Sequence, residues 1–358
     1  MSKFKLEFSL KQHTPIIHFQ SEQSGATLRA TELKPKLDRF LLEHVKGIPF
    51  KENANGHRSL DYKVKVEANQ SKESQYQTYI SKKDRDNLRL KEGSYFGDNQ
   101  AIKSENVKIH FFAFNETIFN AIEKHFNEFI AISSFGTRNN KGFGNFTNII
   151  TDEESFKQFL LNHYIILSTK SDNNPLKSIL LDYQKLKSGG RNGVKSNLME
   201  YFYPDIRWGK RWIKRMLKEK KEDWFHDLKD EYHQENDFNF NDDEKYFFLR
   251  ALLGLAEHNE FLVNSNKQDK LIVKIENIDF DKDKKKIIER YASPIIFKVF
   301  NNKIYILIKK NEPMNTNIFN KSFKFTAYYK RSKEDTVELG TLKTPSSFDI
   351  KSFLREVL

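Results

Sequence analysis

The first 150 residues change their hydrophobic periodicity in a fixed order, and that order restricts the fold more than any single motif does. A half-buried strand alternates apolar and polar residues, whereas an amphipathic helix repeats its apolar residues every three or four positions. Taken together, the segments form a strand–helix–strand–strand–helix–strand series, which predicts a ferredoxin-like module. In chain order they are strand Phe4–Leu10, a helix from a cap at Thr31 to a stop at Gly47, strands Tyr62–Glu67 and Val107–Phe114, helix Thr117–Ile132 and strand Phe143–Ile150.

The rest of the chain divides into a helical part and a strand-rich part. From Lys270 onward β-branched and aromatic residues alternate with polar ones, and Ser347–Leu358 closes the chain as a helix. We therefore predict an α+β protein with two ferredoxin-like (RRM-like) modules, one at 1–150 and a partial one at 266–358, around a helical region at 151–265. The helices predicted in that middle region include Glu154–Leu167, Pro175–Leu186 and Tyr246–His258.

Charge and composition narrow the class of partner. Lysine and arginine number 61 against 49 aspartate and glutamate, a formal charge of +12. This excess indicates a polyanionic partner, nucleic acid before an anionic membrane. Cysteine is absent, which excludes disulfides, thiolate metal sites and a cysteine nucleophile. The chain has no signal-peptide pattern and no run of about 18 apolar residues, so we expect a cytoplasmic protein that does not contact a membrane.

One glycine-rich segment, Ser133–Phe146, stands between the second predicted helix and the fourth strand and reads SSFGTRNNKGFGNF. Glycine permits positive φ and close backbone approach, and a concave turn with nearby cations suits a phosphate or a nucleic-acid backbone. Its phenylalanines either anchor the loop by packing or offer a face to a base. The candidate RNA-binding residues of this loop are Gly136, Arg138, Asn139, Lys141, Gly142 and Gly144.

Three further basic segments are candidates for RNA contact. Arg29 and Lys34 surround the start of the first helix, and Arg191 lies in a second glycine-rich loop, KSGGRNGVKSN. Arg207 and Arg211 interleave with Trp208 and Trp212 at helical spacing. Such a basic helix is common in nucleic-acid binders, but a solvated helix with inward-facing tryptophans has the same sequence pattern.

Motifs of catalysis are scarce. No HExxH, no cluster of metal-ligand spacing and no GxxxxGK[ST] occurs, so we predict neither a metal site nor a nucleotide-binding P-loop and expect no cofactor. A metal-independent endoribonuclease that processes a guide-RNA precursor remains an alternative. His13 or His18 would then act as general base, with Lys34 and Arg138 as cations for the phosphorane.

Three stretches resemble the RAMP superfamily of CRISPR effector proteins, and most closely the first subunit of the type III-B (Cmr) complex. SSFGTRNNKGFGNF is similar to the glycine-rich loop of that superfamily. Residues 14–41, TPIIHFQSEQSGATLRATELKPKLDRFL, resemble the strand–turn–helix at the start of that subunit. Residues 289–308, ERYASPIIFKVFNNKIYILI, are similar to the strand that opens its second half.

The resemblance implies a non-catalytic, RNA-binding subunit of a ribonucleoprotein in antiviral defence. Its partners would be other RAMP subunits, the guide RNA, contacted at its 3′ end, and the target RNA. Carried over by position, the contacts come from Arg29, Arg138 and Lys141 and from the backbone of the three loop glycines. The alternatives are the endoribonuclease above and a scaffold whose phenylalanine-rich surfaces bind neighbouring subunits.

Overall fold

The computed structural model describes residues 4–17, 27–69, 101–189, 195–203, 207–228, 245–255, 258–263, 270–280, 288, 291–330 and 335–358. Helices and antiparallel sheets are mixed along these ranges, which confirms the α+β class. No helix within them is both long and apolar enough to cross a membrane.

The secondary structure elements are numbered in chain order. The strands are β1 (Lys5–Gln12), β2 (Ile16–Ile17), β3 (Lys51–Glu52), β4 (Arg58–Ser59), β5 (Lys63–Asn69), β6 (Ala101–Ile102), β7 (Glu105–Phe112), β8 (Phe146–Asn148), β9 (Tyr164–Ser171), β10 (Arg207–Trp208), β11 (Tyr246–Phe247), β12 (His258–Leu262), β13 (Lys270–Asn277), β14 (Ile296–Phe300), β15 (Lys303–Lys309), β16 (Ser322–Tyr329) and β17 (Thr336–Lys343). The α-helices are α1 (Ala30–His44), α2 (Glu116–Ile132), α3 (Glu153–His163), α4 (Pro175–Lys187), α5 (Asn197–Phe202), α6 (Gly209–Lys220), α7 (Glu222–Asp227) and α8 (Ile350–Val357).

The chain divides into two compact units, of which the first comprises Met1–Ile179 and Ile296–Lys310. Its main sheet has the strand order β5-β7-β1-β8, with every neighbouring pair antiparallel. One face of that sheet packs against α1 and α2. The shared core includes Leu37 and Phe40 of α1, Ile109 and Phe111 of β7, and Phe126 of α2.

Local sequence accounts for some element boundaries in this unit and not for others. The Asn115 side chain accepts the Ile118 N–H at 3.1 Å and starts α2, because an N-cap oxygen satisfies an amide that the helix leaves open. The predicted cap at Thr31 is wrong: α1 begins at Ala30, and its N-cap is Arg29, two residues earlier, with no side-chain cap. The predicted strand at 143–150 is shorter, because the loop residues before Phe146 bond to other parts of the chain.

A second sheet in this unit corrects two predictions. The expected helix Glu154–Leu167 ends at His163, and Tyr164 begins β9. Its partner is β15, so that the hairpin β14–β15 pairs with β9 rather than with the tail of the chain. Because the pairing joins residues far apart in sequence, local periodicity does not reveal it.

The second unit comprises Leu180–Ile295 and Asn311–Leu358 and is built on the antiparallel sheet β12-β13-β16-β17. Its predicted strands are confirmed, but the predicted helix Tyr246–His258 is wrong. That segment holds β11, a short 3₁₀ helix at Leu249–Leu253 and the start of β12. Gly254 ends the 3₁₀ helix with φ +109°, a conformation that an α-helix does not contain.

Candidate nucleic-acid interface

The phenylalanines of the glycine-rich segment, residues 133–146, belong to the interior. Phe135, Phe143 and Phe146 are each at most 1% exposed. The Phe135 ring packs edge-on against Phe129 of α2 and Phe146 of β8, at centroid distances of 6.3 and 6.0 Å. These rings therefore anchor the loop by packing and present no face to a base.

Two of the loop glycines are required by contacts within the protein. A Cβ on Gly144 would lie 1.9 Å from the Phe135 carbonyl oxygen, and a Cβ on Gly136 would lie 2.5 Å from that of Ile17. Both residues also have positive φ, +64° and +76°. The two arms of the loop approach each other closely enough for the Phe135 N–H to donate to the Gly144 carbonyl at 3.0 Å.

The amides of these glycines are used in the fold. The Gly136 N–H donates to both carboxylate oxygens of Glu32 at 2.9 and 3.1 Å, and the Gly144 N–H donates to the Pro15 carbonyl at 2.9 Å. A contact between RNA and either amide would have to replace one of these bonds. The predicted backbone contacts from the glycines stay a prediction.

Two lysines hold neighbouring carbonyl groups at the start of the loop. Lys36 donates to the Ser134 carbonyl and to Glu32, each at 2.8 Å, and its ammonium lies 4.7 Å from the centre of the Phe135 ring. Lys298 of β14 donates to the Ser133 carbonyl. Lys298 is 1% exposed, and its burial, with a smaller effect of the Lys36 charge, holds its pKa well below the usual lysine value.

Strand β14 also fixes the far side of the loop. The Phe297 N–H donates to the Asn140 carbonyl at 3.0 Å, and Lys141 pairs with Phe297 as an isolated parallel bridge. Gly142 faces apolar side chains, since a Cβ there would meet Ile179 at 2.6 Å. Both arms are thus held, and residues 137–141 form the tip.

The tip is a tight turn with cations at the surface. The Lys141 N–H donates to the Arg138 carbonyl at 2.8 Å, and Arg138 adopts φ +56°. Arg138, Asn139 and Lys141 are each partly exposed. The carboxylate of Glu32 connects this loop to the first turn of α1, where Arg29 is the partly exposed N-cap residue. The structure therefore brings the Arg29 turn and the loop to the same end of the first unit.

The other predicted RNA-binding residues lie elsewhere. Lys34 donates to Asp38 and to the Leu60 carbonyl, each at 2.8 Å, and lies 4.2 Å from the centre of the Tyr62 ring, so it points away from the loop. Arg191 and the side chain of Arg207 are outside the described residues. Arg211 is partly exposed on α6 and belongs to the second unit.

Sequence reasoning missed Glu32, Lys36 and Lys298. The first two have the (i, i+4) spacing of a helical ion pair, but that spacing does not reveal that both also bind the loop. Lys298 left a clearer indication, because it is the one charged residue in the apolar run IIFKVF. A lysine within a buried strand needs a partner, and here the partner is the loop carbonyl.

The histidine proposed as a general base is held as a neutral structural group. The Asn301 N–H donates to His13 Nδ1 at 2.9 Å, and His13 Nε2 lies 2.8 Å from the Thr147 hydroxyl. Burial, followed by the charges of Lys11, Lys103 and Lys298, lowers the pKa of His13 to about 3. His13 lines a cavity of about 330 Å³ together with Lys11 and Thr147. His18 lies outside the described residues.

Within the described ranges no group of three or more side chains has the arrangement of a metal site.

Comparison with protein families gives two adjoining matches. Residues 3–190 match the family model of the Cmr1 N-terminal domain, and residues 193–358 match that of the Cmr1 C-terminal domain. The chain matches no curated protein and no solved structure. The two family matches together cover nearly the whole length, which confirms the resemblance seen in the sequence. The chain belongs to the Cmr1 family of RAMP subunits of type III-B CRISPR effectors.

Proposed function

We propose that this type III-B effector subunit binds RNA without cleaving it. In the assembled cytoplasmic complex, beside other RAMP subunits, it would contact the guide RNA at its 3′ end and the target RNA, in antiviral defence. Family membership supports the place in the effector. The observation that carries RNA binding is the glycine loop, whose arms are held by internal bonds while its tip presents Arg138 and Lys141 near the Arg29 turn.

The sheet of the first unit supports a ferredoxin-like module. Numbered within the strand–helix–strand–strand–helix–strand series, the order β8-β1-β7-β5 is 4-1-3-2, so each helix connection spans one intervening antiparallel strand. This is the interleaving of a split βαβ fold. For the second unit the antiparallel sheet is observed, and its description as a partial module of the same kind is our proposal.

Pre-organisation is the physical reason to place RNA at the loop tip. A loop that is already fixed loses little conformational entropy when it binds, and arginine offers planar donors that match a phosphate. Contacts with phosphates release counterions, so binding would weaken steeply with salt and depend little on sequence. The positive φ of Arg138 is a small local backbone strain, which the bonds to the two arms of the loop maintain.

The state of His13 supports the absence of cleavage in this proposal. A general base works best when its pKa lies near the operating pH and a lone pair faces the substrate. His13 has a pKa of about 3, and both ring nitrogens already have partners. The group proposed for an endoribonuclease is therefore a poor base at neutral pH.

The test is the double charge reversal Arg138→Glu with Lys141→Glu, followed by titration with single-stranded RNA at several salt concentrations. We expect at least about a tenfold loss of affinity at 0.1 M salt, because two phosphate contacts become repulsive. The slope of log K against log salt should become shallower by about 1.4, since each contact with a single strand contributes about 0.7. The same incubations, with EDTA and with Mg²⁺, should leave end-labelled RNA intact.

A matched control reverses two exposed lysines of the same unit, Lys124 of α2 and Lys157 of α3. Lys124→Glu with Lys157→Glu changes the net charge equally and should cost much less affinity. Equal losses in both pairs would show that the basic excess acts diffusely, and the loop would lose its assigned role. A discrete cut that persists in EDTA would favour the endoribonuclease instead, and tight association with other subunits without RNA binding would favour the scaffold.

A further inference from the structure

The outer face of the main sheet, opposite α1 and α2, carries a second feature that the glycine loop does not use. Side chains alternate across a strand, so that Val107, Ile109 and Phe111 of β7 are buried in the core while Phe112 points to the other face. Phe112 is 41% exposed although it lies on an inner strand of the sheet. A large apolar ring in that position is a feature to explain, because folding alone would favour a polar residue there.

Two lysines flank this ring on the neighbouring strands. Lys5 of β1 and Lys63 of β5 are the direct cross-strand partners of Phe112. Directly opposite residues point to the same face of a sheet, so the three side chains form one row, lysine–phenylalanine–lysine. The Lys5 ammonium lies 6.0 Å from the centre of the Phe112 ring, and Lys63 is exposed.

Two further exposed rings lie just outside these strands, Phe4 before β1 and Phe114 after β7. Phe114 is 81% exposed and Phe4 is 41% exposed, and their ring centres are 5.5 Å apart. The Ala113 N–H donates to the Phe4 carbonyl at 3.1 Å, which holds this end of the two strands together. We call Phe4, Phe112 and Phe114, with Lys5 and Lys63, the phenylalanine platform.

The remainder of the outer face differs in charge. In the next row, Glu7 and Lys65 lie opposite His110, and Glu67 follows on β5. Glu7 pairs with Lys108 at 3.3 Å, and Glu67 approaches His110 at 3.3 Å. Acidic side chains thus balance the lysines over that part of the sheet. The platform combines exposed aromatic rings with two flanking cations, of which Lys5 also lies 3.9 Å from Glu7, whereas the adjoining rows consist of ion pairs.

We propose that the phenylalanine platform binds the bases of single-stranded RNA by stacking, while Lys5 and Lys63 contact the phosphates on either side. The choice of RNA as ligand rests on the function proposed above. The position of the RNA on this face rests on the register of β1, β7 and β5 and on the exposure of the phenylalanine rings. Aromatic faces accept every base, and cations beside them follow the backbone. A protein partner is the less suitable occupant. Three rings bounded by ion pairs do not form the apolar centre of an interface of about 800 Å² per partner.

The experiment uses the full chain and a short oligouridylate that carries 5-iodouracil, which cross-links to aromatic side chains that stack on it. We expect the cross-link in the peptide that contains Phe112 and Phe114. Phe112→Leu with Phe114→Leu retains an apolar surface but removes the π-faces, so the cross-link should disappear and the affinity should fall about tenfold or more. The affinity for an abasic strand of the same length should stay within about twofold, because phosphate contacts do not need the rings.

Phe50→Leu is the matched control, since Phe50 is also 45% exposed in the first unit and has the Arg58 guanidinium 4.7 Å from its ring centre. That change should leave both the affinity and the cross-link intact. Cross-links elsewhere, with unchanged affinity of the leucine variant, would overturn the platform even if Arg138→Glu with Lys141→Glu abolishes binding. If Phe112→Leu with Phe114→Leu loses RNA affinity while Arg138→Glu with Lys141→Glu does not, the platform is upheld as the RNA site. The loop then has no role in binding RNA. If the leucine variant keeps its RNA affinity but no longer joins the other subunits, the platform is a protein-binding surface and the proposal fails.

Discussion

The glycine loop and helix α6 have similar sequence features and opposite structural arrangements. Each combines arginines and lysines with aromatic residues over a short stretch. In the loop the aromatic rings are buried and the cations Arg138 and Lys141 reach the surface. In α6 the Trp212 ring packs edge-on against Phe325 at 5.4 Å, and the cation Lys214 is only 7% exposed. Basic and aromatic residues side by side therefore indicate an interface only once their burial is known.

The two regions differ in which contacts hold them in place. Backbone groups, the half-buried Lys36 and the buried Lys298 hold the loop from both arms. In α6 the side chains themselves make the packing contacts, and the exposed remainder is paired, as with Arg215 and Glu219 at 2.8 Å.

The largest expected effect comes from a methyl group at Gly144. In Gly144→Ala the new Cβ would lie 1.9 Å from the Phe135 carbonyl oxygen, and the backbone at φ +64° disfavours any side chain. Because the obstacle is backbone, it cannot move aside without opening the loop. We expect the free energy of unfolding to fall by about 3–5 kcal/mol, measured by urea denaturation.

Gly340→Ala provides the comparison in the region of α6. Gly340 has φ +127°, but its nearest obstacle is the Trp212 ring at 3.2 Å, a side chain with some freedom to shift. The expected loss is about 1–3 kcal/mol, since a side chain at this φ is strained. Equal losses at Gly144 and Gly340 would show that the loop is no more rigid than the packing around α6.

A second prediction concerns the buried amine that holds the loop. The pKa of Lys298 is lowered in the folded protein by burial and by the charge of Lys36, from an ordinary value of 10.5. Between the lowered and the ordinary pKa the unfolded chain binds more protons than the folded one. Stability should therefore rise with pH over that window, by at most about 1.4 kcal/mol per pH unit from this group. Lys298→Met removes the proton, so the free energy of unfolding of wild type minus that of the variant should increase from pH 7 to pH 9.5.

Lys298→Arg is the control, because arginine stays protonated at every pH of the experiment. Lys298→Arg should lower the free energy of unfolding at every pH. Its free energy of unfolding should not increase at high pH relative to that of Lys298→Met. The measurement is urea denaturation at several pH values. Identical pH slopes for wild type and Lys298→Met would mean that the amine does not lose its proton on folding, and the explanation of its burial would have to change.

The sequence contains enough local information for the first module and too little for the rest of the fold. Alternation and helical spacing correctly predicted β1, β5, β7 and α2, because each of these elements buries one face against a common core. The pattern predicts a helix at residues 164–167, because the run YIIL is apolar under either periodicity. The segment is a strand because it pairs with β15, nearly 140 residues later in the chain. For the same reason the strands of residues 296–309 are expected in the C-terminal module, whereas they pair with β9 in the first unit.

Local sequence also predicted part of the candidate site. Glycine spacing indicated the loop, and the nearby arginines indicated its charge. Nothing local shows that Phe135 is buried or that Glu32, Lys36 and Lys298 hold the backbone, because these contacts join segments about 100 and 165 residues apart. Exposure of Phe112 was equally hidden, since VKIHFFAF contains an inward and an outward phenylalanine side by side.

The smallest expected effect tests α6 directly. Arg211→Glu with Arg215→Glu reverses as much charge as the loop variant, yet we expect less than about a threefold change in affinity for single-stranded RNA at 0.1 M salt. The reason is that Arg215 already pairs with Glu219 at 2.8 Å, and the nearby Trp212 ring packs against Phe325 instead of being presented to a base. Fluorescence anisotropy beside the loop variant gives the comparison. A loss as large as that of Arg138→Glu with Lys141→Glu would place RNA on α6 as well, and packing of Trp212 against Phe325 would then no longer distinguish a packed helix from an interface.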